Sequence, residues 1–265
     1  IKVSSSSEEL QLFNILFSRY KTNQLALFAK IMQLESSPSM LLEKLDLKEF
    51  EELLDLSGNH EDLVEYIDSS QDIENLVNQI EITSKMQALL SLIKDIVSQS
   101  KTAITWCIFV KTMYDLKHYL NSMGIRAEVI SGSVHQEERN EIISRFKNKE
   151  IDILITNPHT LAESVSLHQT CHDAIYFEYS YNLVHLLQSK DRIHRLGLKD
   201  DDYTQYYYFQ QNYSLENGNY SLGERIYNRL SEKEQLMLDA IDKHELEILP
   251  TEDEDLVFFF KNVID

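Results

Sequence analysis

Apolar residues recur at helical spacing over residues 8–34, where Leu12, Ile15 and Leu16 are followed by Leu27, Phe28 and Ile31. That period predicts an amphipathic helix, which Ser36, Ser37 and Pro38 bring to an end. Over residues 39–83 the pattern stays helical but turns acidic, in LDLKEFEELLDL, HEDLVEYID and QDIENLVNQIEI, with a turn at Ser57, Gly58 and Asn59. This stretch reads as a helical insertion with a solvated acidic face. The texture changes at Ser84. A helix is expected over 84–99, followed by strand-like runs at 104–110, 127–130, 151–156, 174–177 and 205–209, with helical patterns at 113–123, 135–146 and 183–196 between them. Such alternation predicts a parallel sheet with right-handed crossovers. Beyond Gln210 lie a polar stretch with Gly218 and Gly223 and a helix over 222–244. A last segment follows, in which four acidic residues, 252–255, precede apolar residues 256–260.

Composition sharpens this picture. Glycine and proline together supply 9 of 265 residues, about a quarter of average usage, which favours long helices over a sandwich or barrel. The net charge is −19, from 25 basic and 44 acidic residues, and a uniformly basic nucleic-acid binder is excluded. The excess is uneven, because residues 1–100 hold 8 basic and 17 acidic groups, 101–200 hold 12 and 12, and 201–265 hold 5 and 15. No apolar run approaches the roughly 18 residues that would cross a bilayer, and the start lacks a signal-peptide pattern, so a soluble, cytoplasmic protein is expected. The first residue is not Met, which suggests a piece of a longer chain. Cys107 and Cys171 lie in apolar runs and read as reduced core thiols. The expected architecture is α/β. A helical entry segment and acidic insertion occupy 1–83, a parallel-sheet lobe with flanking helices 84–210, and a helical tail 211–265.

In open parallel α/β sheets, ligands bind beyond the carboxyl ends of the strands. After the run at 127–130 comes Ser131-Gly132-Ser133, small residues that let amides and hydroxyls approach an anion; the same three residues also suit a plain turn with Ser133 as helix N-cap. After 151–156 comes Thr156-Asn157-Pro158, a hydroxyl and an amide suited to a nucleic-acid phosphate or simply to an Asn-Pro turn. Glu163 stands in a small, apolar stretch. In QSKDRIHRLG, a continuous helix puts Gln188, Arg192 and Arg195 within an arc of roughly 60°. Two guanidiniums presented together suit a polyphosphate; ordinary helix chemistry, with an Asp191–Arg195 pair and Gly197 as C-terminal cap, accounts for the same residues. No G-x-x-x-x-G-K-[ST] phosphate loop occurs in the sequence. His168 and His172 lack a third candidate ligand nearby, and no metal site is expected.

The order of these blocks resembles the C-terminal RecA-like lobe of superfamily 2 helicases, and within them the Swi/Snf-type DNA translocases, in a bacterial-looking form. The run from AITWCIFVKTMYDLKHYL through GIRAEVISGSVHQEERNEIISRF is similar to the family's motif IV region. DILITNPHTLAESVSLHQTCHDAIYFE is similar to motif V and LLQSKDRIHRLGL to motif VI. The resemblance spans roughly residues 8–245 and is weakest over 40–83. It implies that Arg192 and Arg195 are motif VI arginines, with Arg195 the arginine finger, and that Gln188 and Glu163 face ATP. It also implies that Ser131, Gly132, Ser133, Thr156 and Asn157 lie against the DNA backbone. ATP with Mg2+ would be held mainly by an N-terminal lobe absent from this chain, which alone would be inactive. The implied partners are that lobe and DNA, with a protein partner for the acidic helices of 40–83 and no membrane. Two departures stand out: residues 161–167 carry small residues where the family has glycines, and Asp191 and Leu198 replace a common glycine and glutamine. The rival reading is a degenerate lobe kept as a protein-interaction module.

Overall fold

The computed structural model describes residues 1–43, 70–158, 160–161, 167–194, 203–216, 218–243, 251–261 and 263. In chain order the first elements are β1 (Lys2–Ser4), α1 (Ser7–Tyr20), α2 (Gln24–Ser36), a 3-10 turn (Pro38–Leu42), α3 (Gln71–Gln79) and α4 (Ser84–Ser98). There follow β2 (Ala103–Trp106), α5 (Val110–Ser122), β3 (Ala127–Ile130), α6 (Gln136–Lys147), β4 (Ile153–Thr156), β5 (Asp173–Tyr176), α7 (Leu183–Asp191) and β6 (Gln205–Tyr208). The chain ends with β7 (Gln210–Leu215), β8 (Gly218–Tyr220), α8 (Leu222–Lys243) and α9 (Glu252–Phe260). Contacts divide it into two compact units, one of residues 86–180 and 184–209 with Ile1, the other of 2–85, 181–183 and 210–265.

The first unit is a RecA-like α/β layer structure. Its five strands are all parallel in the order β3-β4-β2-β5-β6, in register from Ala127↔Ile153 through Ala103↔Ile153 and Ala103↔Asp173 to Asp173↔Gln205. Every residue of β2, β4 and β5 is buried, as a sheet covered by helices on both faces requires. The runs expected at 127–130, 151–156, 174–177 and 205–209 match these strands to within two residues, whereas the run at 104–110 splits into β2 and the start of α5. Scarce glycine leaves a mark on the helix ends. Helices α4, α5 and α6 all close with a bond reaching back five residues, Lys101 to Ile96, Ile125 to Leu120 and Glu150 to Arg145. Only α5 uses a glycine, Gly124 (φ +80°), while Ser100 and Lys149 take the left-handed conformation at φ +59°.

The second unit holds elements the pattern did not separate. The stretch at 8–34 is two helices, because Asn23 caps α2 by accepting the Ala26 amide at 3.0 Å. The polar stretch after Gln210 is a hairpin, β7 with β8, extended by β1 in parallel to β7. Phe13 of α1 stacks on Tyr213 at 4.2 Å and meets Tyr220 at 5.3 Å, which joins helix and hairpin in one aromatic core. The buried carboxylate of Glu9 closes a capping box on α1 and also accepts the amide and hydroxyl of Ser84, at 2.9 and 2.7 Å. Much of the expected acidic insertion, residues 44–69, lies outside the described residues.

Candidate functional site

Because β3 and β4 are neighbours, the segments leaving their carboxyl ends lie side by side. The segment after β3 carries Ser131, whose hydroxyl is buried and bonded to Ser133 Oγ at 2.9 Å, with Tyr114 OH at 3.4 Å. Gly132 and Ser133 are exposed, and a Cβ at Gly132 would meet nothing within 4 Å. The N-cap of α6 is His135 and not Ser133, so the serine hydroxyls are not used for capping that helix. The segment after β4 begins at Thr156, fully buried, whose hydroxyl donates to the Ile130 carbonyl at 2.8 Å. Half-buried Asn157 turns the chain by accepting the Thr160 amide at 2.8 Å.

One residue that sequence reasoning passed over spans these segments. Arg139 donates from its two terminal nitrogens to the carbonyls of Thr160 and Val134, each at 3.3 Å, and its Nε is buried without a partner. The signal was present in the sequence, since a cation in the first turn of a helix opposes the helix dipole and here follows Glu137 and Glu138. A second such residue is Glu178, just beyond β5, a buried carboxylate accepting the amides of Ile108 and Phe109 at 2.6 and 2.9 Å.

The arginine stretch is not the continuous helix that its spacing suggested. Helix α7 ends at Asp191. Its last turn tightens, with Arg192 N bonded to Ser189 O at 3.3 Å and Ile193 N to Lys190 O at 3.2 Å. The Arg192 carbonyl then accepts the Leu167 amide at 3.0 Å. Gln188 is exposed on α7, and Arg192 is half-buried one turn later, in a turn beyond the helix. Among the described residues, neither side chain has a hydrogen-bond or ion-pair partner. Arg195 and Glu163 lie outside the described residues.

Topology then separates two groups of candidates. Helix α7 joins two parallel strands, so it runs back along the sheet, and its end meets Leu167, which precedes β5, while His194 Nδ1 lies 3.5 Å from Thr204 Oγ1, just before β6. Arg192 therefore sits at the amino edge of the sheet, whereas Ser131–Ser133 and Thr156–Asn157 sit at the carboxyl edge, with a helix of roughly 13 Å between the two edges. The segment from Asn157 to Leu167 starts at one edge and finishes at the other.

Elsewhere in this unit the titratable groups are structural. Burial pushes the Cys171 thiol up to about 12, Cys107 is also buried, and neither is in a disulfide, so both are core thiols. Burial raises Tyr207 to about 12 as well, aided by Asp173, to which its hydroxyl donates at 3.1 Å. At the amino edge, burial would raise Asp152, but hydrogen bonds and charge from Arg126 leave it below the usual carboxylate range. Among the described residues no helix is long and apolar enough to cross a membrane.

Residues 84–197 match the helicase conserved C-terminal domain, a stretch that contains every candidate residue named above. Over that stretch the chain is similar to helicase C-terminal domains. It is 29% identical over 147 residues to the ATP-dependent RNA helicase p62 of Drosophila melanogaster, covering 54% of this chain and 18% of that protein. It is 26% identical over 153 residues to Helicase SWR1 of Candida albicans, covering 57% of this chain and 9% of that protein. The matched part thus spans less than a fifth of these relatives. In fold, the C-terminal part of the Fun30 ATPase domain superposes with a TM-score of 0.61 at 14% identity, covering 94% of this chain and 97% of that one. The Sulfolobus solfataricus SWI2/SNF2 ATPase C-terminal domain gives 0.52 at 13% identity, with 97% and 91% covered. The chain therefore shares the fold of Swi2/Snf2 ATPase C-terminal domains, as the sequence resemblance implied.

Proposed function

We propose that this chain is the second motor lobe of an ATP-dependent double-stranded DNA translocase of the Swi/Snf type. The observation that carries the reading is the match of residues 84–197 to the helicase C-terminal domain, with all candidate contacts inside it. Bound ATP with Mg2+, held mainly by an N-terminal lobe outside this chain, supplies the phosphoryl chemistry. Arg192 fits an anionic ligand, because its guanidinium is half-exposed and uncommitted among the described residues, and Gln188 stands one turn before it. In this reading Arg195 is the arginine finger, Arg192 its partner, and Gln188 and Glu163 complete the nucleotide-facing surface.

At the carboxyl edge, Gly132, Ser133 and Asn157 meet backbone phosphates of one DNA strand through amides, a hydroxyl and a carboxamide. Ser131 and Thr156, both buried, support them from beneath. Such contacts position without reading sequence and fit a lobe whose middle hundred residues are electrically balanced.

The test is DNA-stimulated ATP hydrolysis by the complete protein bearing Arg195→Ala. A loss of about 10³-fold or more is expected, and near-normal turnover with the fold intact sinks the arginine-finger assignment. Stimulation by RNA and not by duplex DNA would sink the DNA assignment.

A further inference from the structure

We infer that a cleft beside β8, in the second unit, binds the free C-terminus of an extended peptide, a partner beyond the nucleotide and DNA of the proposed reading. Among the described residues the small sheet runs β1-β7-β8, so β8 is an edge strand. A Cβ on Gly218, its first residue, would meet nothing within 4 Å, and that flank is open. An open edge offers backbone donors and acceptors to an added strand. Along it lies a cavity of about 600 Å³ with Phe17, Leu215, Tyr220 and Val263 in its wall. That volume falls within the range of ligand sites.

The same cleft is lined by two opposite charges, Glu216 and Arg225. Glu216 precedes Gly218 at the start of β8, whereas the guanidinium carbon of Arg225 lies 5.0 Å from the ring centre of Tyr220 at its end. The carbonyls of Phe259 and Lys261 fix Arg225 Nη1, both at 2.8 Å. Nε and Nη2 have no partner among the described residues, and no carboxylate there pairs with the guanidinium. In a chain with 44 acidic residues to 25 basic ones, that is a cation kept from its common partner. Anchored by one terminal nitrogen, the guanidinium presents its Nε and Nη2 edge as a preoriented fork, which a carboxylate fills with two parallel bonds. A main-chain carboxylate at the Tyr220 end makes the peptide parallel to β8, with its last side chain on the apolar wall. At about 3.3 Å per residue, Glu216 then faces a position roughly three residues before the carboxylate and favours a cation there.

The test titrates the complete protein with a labelled, N-acetylated hexapeptide that ends in leucine and carries lysine three residues earlier, as the free acid and as the C-terminal amide. The free acid is expected to bind at least about tenfold tighter than the amide, and Arg225→Gln to remove that difference. Equal binding of acid and amide, no binding of either, or a difference that persists in Arg225→Gln overturns the inference. Because Arg225 also holds the end of α9, the exposed Glu216 supplies a second variant that spares the fold. Glu216→Lys is expected to reverse a preference for lysine over glutamate at the inner peptide position while the acid keeps its advantage over the amide. An unchanged preference overturns the placing of the peptide along β8. N-acetyl-leucine, added as competitor, separates the other source of a carboxylate: if it displaces the hexapeptide at equal concentration, the cleft takes a small molecule and the peptide assignment falls. These titrations read nothing from ATP or DNA, so a failure of the translocase reading and a failure of this inference are distinct results.

Discussion

Glu178 caps Phe109 across the sheet: its Oε2 accepts the Phe109 amide at 2.9 Å and the neighbouring Ile108 amide at 2.6 Å. Phe109 is the N-cap residue of α5 and has no side-chain cap of its own. A carboxylate just beyond the adjacent strand β5 therefore satisfies the N-cap amide of α5 and the amide before it, which the local sequence leaves open, and its negative charge suits the helix N-terminus.

Glu178→Ala leaves both amides without their acceptor, in a site closed to water. The expected loss is about 2–4 kcal/mol, read as a shift of the urea midpoint. Glu178→Gln keeps an acceptor oxygen and is expected to lose less than half as much. Equal losses from both would show that burial of the side chain, and not acceptance of the amides, sets the stability.

The sheet was legible because each strand is a short apolar run between amphipathic helices, and strands 127–130 and 205–209 differ from β3 and β6 by at most one residue. What the period missed is instructive. Residues 8–34 keep one apolar face through the Asn23 cap, so hydrophobic spacing alone does not reveal the break. The hairpin of β7 and β8 was hidden because its inward residues include Gln211 and Tyr213, polar by type yet fully buried. At the site, Ser133 and Asn157 were found from strand ends. Glu178 was missed because its partners are backbone amides about 70 residues away in sequence, and Arg139 because its partners are backbone carbonyls, Val134 close by and Thr160 farther on, which no side-chain motif encodes. The expected helix through 196 stops at Asp191, and the Arg192 carbonyl is claimed by Leu167, a partner distant in sequence.

The Arg126–Asp152 pair gives the first unit an acid-sensitive joint. Asp152 accepts from Arg126 through its amide, Nε and Nη2, at 3.0, 3.0 and 2.5 Å. Its folded pKa is depressed, the opposing burial effect being outweighed by Arg126. The pair therefore stabilises the fold above the ordinary carboxylate pKa, and that contribution is lost as pH falls through the lower folded value. Asp152→Asn is expected to cost about 1–3 kcal/mol at pH 7, and the difference from the unsubstituted chain should shrink steadily below about pH 4. A pH-independent difference would mean that the carboxylate charge plays no part.

In the second unit, part of the acidic tail is structural. Asp255 is buried, bonded to Arg229 Nε at 2.6 Å and Lys233 Nζ at 2.5 Å, and Arg225 donates to the Phe259 and Lys261 carbonyls at the end of α9. Arg225, Arg229 and Lys233 recur every four residues along α8, so they form one stripe facing α9. Removing the anion leaves two buried cations short of a partner. Asp255→Ala is expected to cost about 3–5 kcal/mol and to expose the tail to limited proteolysis. A neutral outcome in both measurements would return the acidic tail to the role of a solvated partner surface.

Buried Thr156 and exposed Ser133 bear on the same proposed DNA contact in opposite ways. The Thr156 hydroxyl has its proton on the Ile130 carbonyl and the residue is fully buried, while Ser133 is exposed beside Gly132 with its hydroxyl bonded to that of Ser131. Thr156→Val keeps the shape and removes only the hydrogen bond, so a stability loss of about 1 kcal/mol is expected, with weaker DNA binding following only from a looser base to the two segments. Ser133→Ala is expected to leave the unfolding midpoint in place and to lower duplex-DNA affinity about fivefold. The two variants are compared by urea unfolding and by DNA titration at one fixed salt concentration. A Ser133→Ala protein that loses stability but not affinity, with Thr156→Val showing the reverse, would exchange the roles of the two hydroxyls and move the phosphate contact to the strand end itself.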